Sequence, residues 1–354
     1  MATKSVISTF ASRVLVALIG LTTVVITSRF LGAEGRGEVS VITSSIALIL
    51  VFCEFVGGSA LINLSYRRSQ KHLLYTAVLW SLLICAIAAA VIIPLQLVPS
   101  QYAKHLPVLA FMFSLVTISN ALLMGRREVK ARNLLSVLQP FIVLATAYFY
   151  FKFQHCTDPF SYIKALYAGL TVSIVFAVAV NYRKLSNTEN SQFHFDLHIF
   201  NSGFLAQAGH FIQFLNYRLS FFVIAAFVGE SSLGVYNNAI TIAEALWIFG
   251  HSLGQMQHIQ ILNNKQPGFD KKVTLRYLHL CVFITLIMLT VVLLLPTNFW
   301  TGLFGNDFDY MRKALLLLSP AVMFFSVSVI LNHYLHAKDR FKSIIAINST
   351  GLIA

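Results

Sequence analysis

The sequence predicts an all-α integral membrane protein: a multi-span helical bundle built as two parallel-repeat six-helix halves, the second incomplete. Three observations carry this prediction. Of the 354 residues, 57% are hydrophobic and 11% charged, with a mean hydropathy of +0.74; a soluble domain carries roughly 25% charged residues. Uncharged apolar runs, long enough to cross ~30 Å of hydrocarbon at ~1.5 Å per residue, recur along the chain. One pattern also occurs twice: an apolar helix running into glycine, four residues, a second glycine, then another apolar helix. Gly32 and Gly37 map onto Gly229 and Gly234 at a single offset of 197, which also sets Arg13 on His210 and Glu54 on His251. Glycine at such points permits a tight reversal with φ > 0 or a close helix approach, so all four glycines are expected to serve as structural turn residues. Apolar runs and polar intramembrane residues in step with the glycines mark an internal duplication.

The elements follow in order. The N-terminus lacks a short apolar core followed by a small-residue cleavage site, so residues 6–30 read as a first spanning helix and not as a removable signal. Further spans are expected over 39–64, 73–98, 106–124, 134–153 and 160–182. No sustained period-two alternation appears, and helices satisfy their own backbone in lipid, so these runs are helices. The widest polar connection contains Ser186-Asn187-Thr188-Glu189-Asn190-Ser191 and reads as a linker. It divides the chain into an N-terminal bundle (1–182), a linker (183–199) and a C-terminal bundle (200–354) of about five helices. The second half holds spans at 200–228, 233–262, 275–296 and 314–337. A last apolar stretch from Ser343 reaches Ala354 after twelve residues, too short to cross, so the second bundle is expected to be incomplete. Pro94, Pro140, Pro296 and Pro320 sit within or at the ends of spans, where they kink helices or free carbonyls.

Charge sets the orientation. Of the 26 Lys and Arg residues, seventeen fall in segments on the side of the N-terminus. Seven fall on the other side: Arg29, Arg36, Lys104, Lys152, Lys164, Arg312 and Lys313. This bias predicts a cytoplasmic N-terminus. Six spans before the linker then leave both halves in the same orientation, a repeat about an axis along the membrane normal. Basic loops account for the net charge of +13, so nucleic acid is not an expected partner. Cys53, Cys85, Cys156 and Cys281 show neither metal spacing nor a disulfide framework, and no cofactor or metal is expected.

Few residues inside the spans can carry chemistry. Arg13 lies within the first helix, either snorkelling to the headgroups or facing a water-filled cavity. Arg218, near the middle of the seventh span, either contacts an anion or pairs with Glu244 of the next helix. Glu54 and Glu244 are candidates for ion coupling, or else partners of an arginine. His210 and His251 can add positive potential when protonated, or can simply hydrogen-bond. Asn63, Asn120, Asn216, Gln207 and Gln213 can line a polar route or join helices by hydrogen bonds.

Ser12-Arg13, then Ser28-Arg29-Phe30-Leu31-Gly32 and Gly35-Arg36-Gly37, resemble the polysaccharide-export flippases of the MOP superfamily, the Wzx-like O-antigen translocases. Tyr217-Arg218-Leu219-Ser220 running to Val228-Gly229, then Gly234-Val235-Tyr236, is similar to the start of their second bundle. So is Gly125-Arg126-Arg127 after the fourth span. The resemblance implies a MOP/MATE-like fold, not an enzyme, in the bacterial inner membrane. It implies translocation of an undecaprenyl-pyrophosphate-linked oligosaccharide, an O-antigen or lipopolysaccharide repeat unit, by alternating access through a cationic cavity. Arg13, Arg218, Arg29, His210 and His251 would then bind the substrate, with membrane lipids and glycan polymerase machinery as further partners.

Two rivals stand beside this reading. A MATE-like multidrug or cation antiporter keeps the fold and uses Glu54 and Glu244 for the coupling ion, although central arginines repel a cationic drug. A membrane glycan polymerase or ligase would be expected to present a sizeable external loop with catalytic residues, and the external loops here are short.

Overall fold

The structure, a computed structural model, describes residues 2–64, 70–95, 100–185, 198–264, 266–338 and 340–353. Among the described residues every regular element is helical. They are α1 (Ala2–Gly57), α2 (Ser59–Leu64), α3 (Gln70–Leu95), α4 (Ser100–Ala103), α5 (His105–Gly125), α6 (Val129–Phe153), α7 (Phe160–Leu185), α8 (His198–Phe227), α9 (Glu230–Asn263), α10 (Phe269–Leu294), α11 (Thr297–Phe304), α12 (Met311–Ala337) and α13 (Phe341–Ile353). A single 3₁₀ turn, Asn306–Phe308, follows α11. Residues 186–197 of the expected linker, and the loop residues Arg67, Arg68 and Lys265, lie outside the described residues.

The chain is all-helical and membrane-embedded, as the composition requires. Among the described residues, eight stretches are long and apolar enough to cross a membrane, the first being Ser8–Gly57. That stretch is two arms of α1 joined at Gly32, where φ 70 and ψ −174 break the helix. One expected span is different in kind. The segment expected at 233–262 forms α9, whose 34 residues are long enough but too polar to stand among those eight. Pro296 does not kink a span: it caps the eight-residue α11 in an extended conformation, a short helix with no counterpart among the expected spans. Pro94, Pro140 and Pro320 lie inside helices.

The helices form two compact units. One comprises Met1–Leu31 and Glu38–Leu219; the other comprises Gly32–Gly37 and Ser220–Ala354. The first is centred on α1, α5, α6 and α7, where Ile42, Leu106, Leu109, Leu135, Ala147 and Leu166 are buried. Phe30 stacks on Phe151 with ring centroids 5.6 Å apart. Lipid tails are as apolar as leucine, so such helices associate through close packing and buried polar bonds. Gly169 of α7 shows the first: a Cβ there would lie 2.5 Å from Val143 Cγ2 of α6. Arg126, at the end of α5, shows the second. Its guanidinium donates to Gln70 Oε1 and, at 3.1 Å, to Asn181 Oδ1, joining α3, α5 and α7. Burial there pushes Arg126 below its ordinary pKa, against the favourable charge of Glu128.

The second unit is built on α9, α10 and α12, with Trp300, Phe304 and Phe308 buried at its edge. Its other component is the Gly32–Gly37 segment, contributed from the middle of α1. Here the repeated glycine motifs divide their labour. Gly32 and Gly229 take φ of 70° and 106°, which only glycine adopts without strain. Gly37 and Gly234 are not turn residues but lie inside helices, where a Cβ would come within 1.9 Å of the Glu230 carbonyl oxygen and 2.0 Å of that of Ala33. Arg36, expected as an outer loop cation, is instead buried at 7% exposure, its Nε donating to Asn238 Oδ1 at 3.2 Å. Asp307 Oδ2 accepts from the Ala33 N–H at 3.3 Å, holding the broken end of α1.

Candidate functional site

In the first unit, Arg13 and Arg29 both lie exposed on the first arm of α1. Arg13 is close enough to Arg132 of α6 for mutual repulsion, so the two cations face a common region. Beside them, Asn133 Nδ2 donates to Ser8 Oγ and Thr9 Oγ1, each at 3.3 Å, fixing the start of α1 on α6. Arg218 is half-buried on α8.

Glu54 and His210 are brought together. Gln207, 2% exposed, donates from Nε2 to Glu54 Oε2 at 3.4 Å, and the exposed His210 stands close enough to interact with that carboxylate electrostatically. Glu54 on α1 therefore faces a polar group built by α8. In the sequence Glu54 and His210 belong to different halves, and nothing there signals this pairing. The spacing of polar residues inside α8 does not show it either, because the partner comes from a helix some 150 residues earlier.

In the second unit, α9 carries the remaining candidates. Asn237, Glu244, His251 and His258 recur every seven residues, so they follow one face of the helix at about 10.5 Å intervals. Glu244 and His251 are exposed, His258 is half-buried and Asn237 is buried. Beside this face lie the buried Ala243, Leu246, Gly250, Gly254 and Gln257, and α9 packs against α10 and α12. Gln257 Nε2 donates to Thr274 Oγ1 at 2.9 Å. Trp247 lies 3.9 Å from the Phe325 ring. His251 stands with its ring 6.2 Å from that of His333 on α12, a residue absent from the sequence-based candidates. The polar heptad on α9 was the available signal for His258; His333 had none. A polar face on a membrane helix belongs against water or protein, since charge at the bilayer centre is costly.

The family described as "Polysaccharide biosynthesis protein" matches this chain over residues 2–256. The chain belongs to this family. No curated protein sequence matches the chain. Among solved structures, the fold of this polysaccharide biosynthesis protein is similar to a lipid II flippase MurJ in an inward closed conformation, with TM-score 0.78 and 15% identity over 98% of this chain and 78% of that one. It is also similar to an inward-facing multidrug resistance MATE family transporter of the MOP superfamily, with TM-score 0.69 and 14% identity over 96% and 83% of the two chains. A MOP superfamily transporter from Pyrococcus furiosus, whose binding pocket is described as reversed in polarity, gives TM-score 0.65 and 11% identity over 97% and 83%. The MOP/MATE-like fold expected from the sequence is thus the fold found. No group of three or more His, Cys, Asp or Glu that could hold a metal ion occurs among the described residues.

Proposed function

We propose that this polysaccharide biosynthesis protein translocates an undecaprenyl-pyrophosphate-linked oligosaccharide, an O-antigen or related repeat unit, across the bacterial inner membrane. The observation that carries the reading is family membership over residues 2–256, in a chain whose fold is similar to that of a lipid II flippase. The cargo is a large amphiphile with an anionic linker. It needs cations for its head, and arginine suits pyrophosphate because its planar fork binds phosphate oxygens bidentately and stays charged. Arg13 and Arg218 are assigned that contact, with Arg29, His210 and His251 adding positive potential. In this proposal the N-terminus is cytoplasmic, the bundles over 1–182 and 200–354 rock for alternating access, and glycan polymerase machinery receives the cargo.

The test is binding of a polyprenyl-pyrophosphate-linked oligosaccharide to purified protein and to the Arg13→Ala/Arg218→Ala double variant, with a hydrophobic cation as competitor. Binding to the unaltered protein and its loss in the variant are expected. The likeness to MATE transporters, together with Glu54 and Glu244, supports a second reading as a cation antiporter. Cation binding that survives the arginine changes and disappears in Glu54→Gln or Glu244→Gln would select it.

A further inference from the structure

Three histidines meet where α9 packs on α12. His333 Nδ1 lies 2.9 Å from the Val329 carbonyl oxygen, and His258 Nδ1 lies 3.3 Å from the carbonyl oxygen of His333 itself. A carbonyl only accepts, so each Nδ1 carries hydrogen and each Nε2 keeps its basic lone pair. The His251 ring stands 6.2 Å from the His333 ring, edge to face. Gly254, between His251 and His258, makes room for this arrangement: a Cβ there would lie 2.6 Å from His333 Nδ1. Any larger residue would drive the imidazole out.

We propose that His251 and His333, with His258 tied to the same turn of α12, form a proton-binding site on the α9–α12 seam. A proton from water is taken up at an imidazole Nε2 and returned to water. The two rings are near enough that charge on one opposes charge on the other, so the pair holds one proton at a time. Among the described residues of α12, His333 meets the site, while Tyr334 bears on Lys338. On α10, Cys281 lies beneath Gly250, Tyr277 accepts from Gln260, and Asp270 is already paired with Lys338. On α9, Glu244 stands seven residues before His251 on the same face. The site supplies a coupling ion to the translocase and rests on the transport reading for that use alone.

Trp247 reports on it, lying one turn before His251 and 3.9 Å from Phe325, whose ring is 6.2 Å from His251. The experiment follows tryptophan emission of the purified full chain between about pH 8 and 5, where imidazole takes up protons, without any substrate. A reversible one-proton fall in emission is expected, insensitive to chelator and retained in His279→Gln. Either ring alone still presents an Nε2, so His333→Gln and His251→Gln should each keep a fall with a shifted midpoint, whereas the His251→Gln/His333→Gln double variant and Trp247→Phe should lose it. His251 is exposed, so its variant keeps the test informative if His333→Gln does not fold. A transition that persists in the double variant, keeps its midpoint in His251→Gln, is absent from the unaltered protein, or vanishes with chelator overturns the proposal. Because no transport is measured, that failure would leave the translocase reading standing.

Discussion

Gly234 and Gly37 sit back to back: a Cβ on Gly234 would lie 3.2 Å from the Gly37 nitrogen and 2.0 Å from the Ala33 carbonyl oxygen. The atoms it would meet are backbone, which cannot swing aside as a side-chain tip does. Gly234→Ala should therefore cost about 1–3 kcal/mol or more through overpacking. On the first arm of α1, a Cβ added at Gly20 would meet nothing within 4 Å, and Gly20→Ala should be neutral or stabilising by up to ~1 kcal/mol. Thermal unfolding of both variants in one detergent makes the comparison, and equal melting temperatures would refute the close-packing account.

Arg36 and Asn238 are both buried and hydrogen-bonded. Removing one acceptor of a buried cation leaves a desolvated charge, so Asn238→Leu is expected to cost about 1–3 kcal/mol. Arg36→Met in the same background should cost less than it does alone, because the charge needing that acceptor is gone. Denaturation of the two single variants and the double variant gives the coupling; strict additivity would remove the pair from the account of stability.

Arg126 ties three helices through two acceptors. Lysine keeps the charge but not the fork, so Arg126→Lys should lose about 1–3 kcal/mol. A lysine variant as stable as the parent, measured by the same thermal unfolding, would show that charge alone suffices at this joint.

Lys338 donates to Asp270 at 2.6 Å, and that bond raises the lysine pKa above its ordinary value of 10.5. With the folded value above the unfolded one, the stabilisation is present below about pH 10.5 and is lost as pH rises through the folded value. The pair is solvent-accessible and screened. Lys338→Gln should therefore melt close to the parent at neutral pH in ~0.15 M salt, with any difference shrinking further in the alkaline limb. A large neutral-pH effect would show the bridge to be more than a surface pair.

The membrane class and most helices were legible because hydropathy accumulates along a run and needs no tertiary information. The glycine repeat was legible too, but as a pattern of identity and not of role. Gly32 and Gly37 look alike in sequence; one takes φ of 70° and the other a backbone contact, and that choice depends on the facing helix. Arg36 stands beside a turn, where arginine is usually solvated, yet Asn238 arrives from 202 residues away to receive it. His333 carried no local signal, since an isolated histidine in an apolar run gains meaning only from the helix packed against it.

Residue order is thus sufficient to establish a helical membrane protein, the course of most of its helices, and a motif repeated in its two parts. Those properties follow from transfer free energies and backbone preferences, which act residue by residue. Packing of the helices was needed to bring the Gly32–Gly37 segment together with Ser220–Ala354, Gln207 to Glu54, and His251 to His333. Those contacts join residues distant in the chain, and van der Waals fit and hydrogen-bond geometry select them only once the helices have closed on one another.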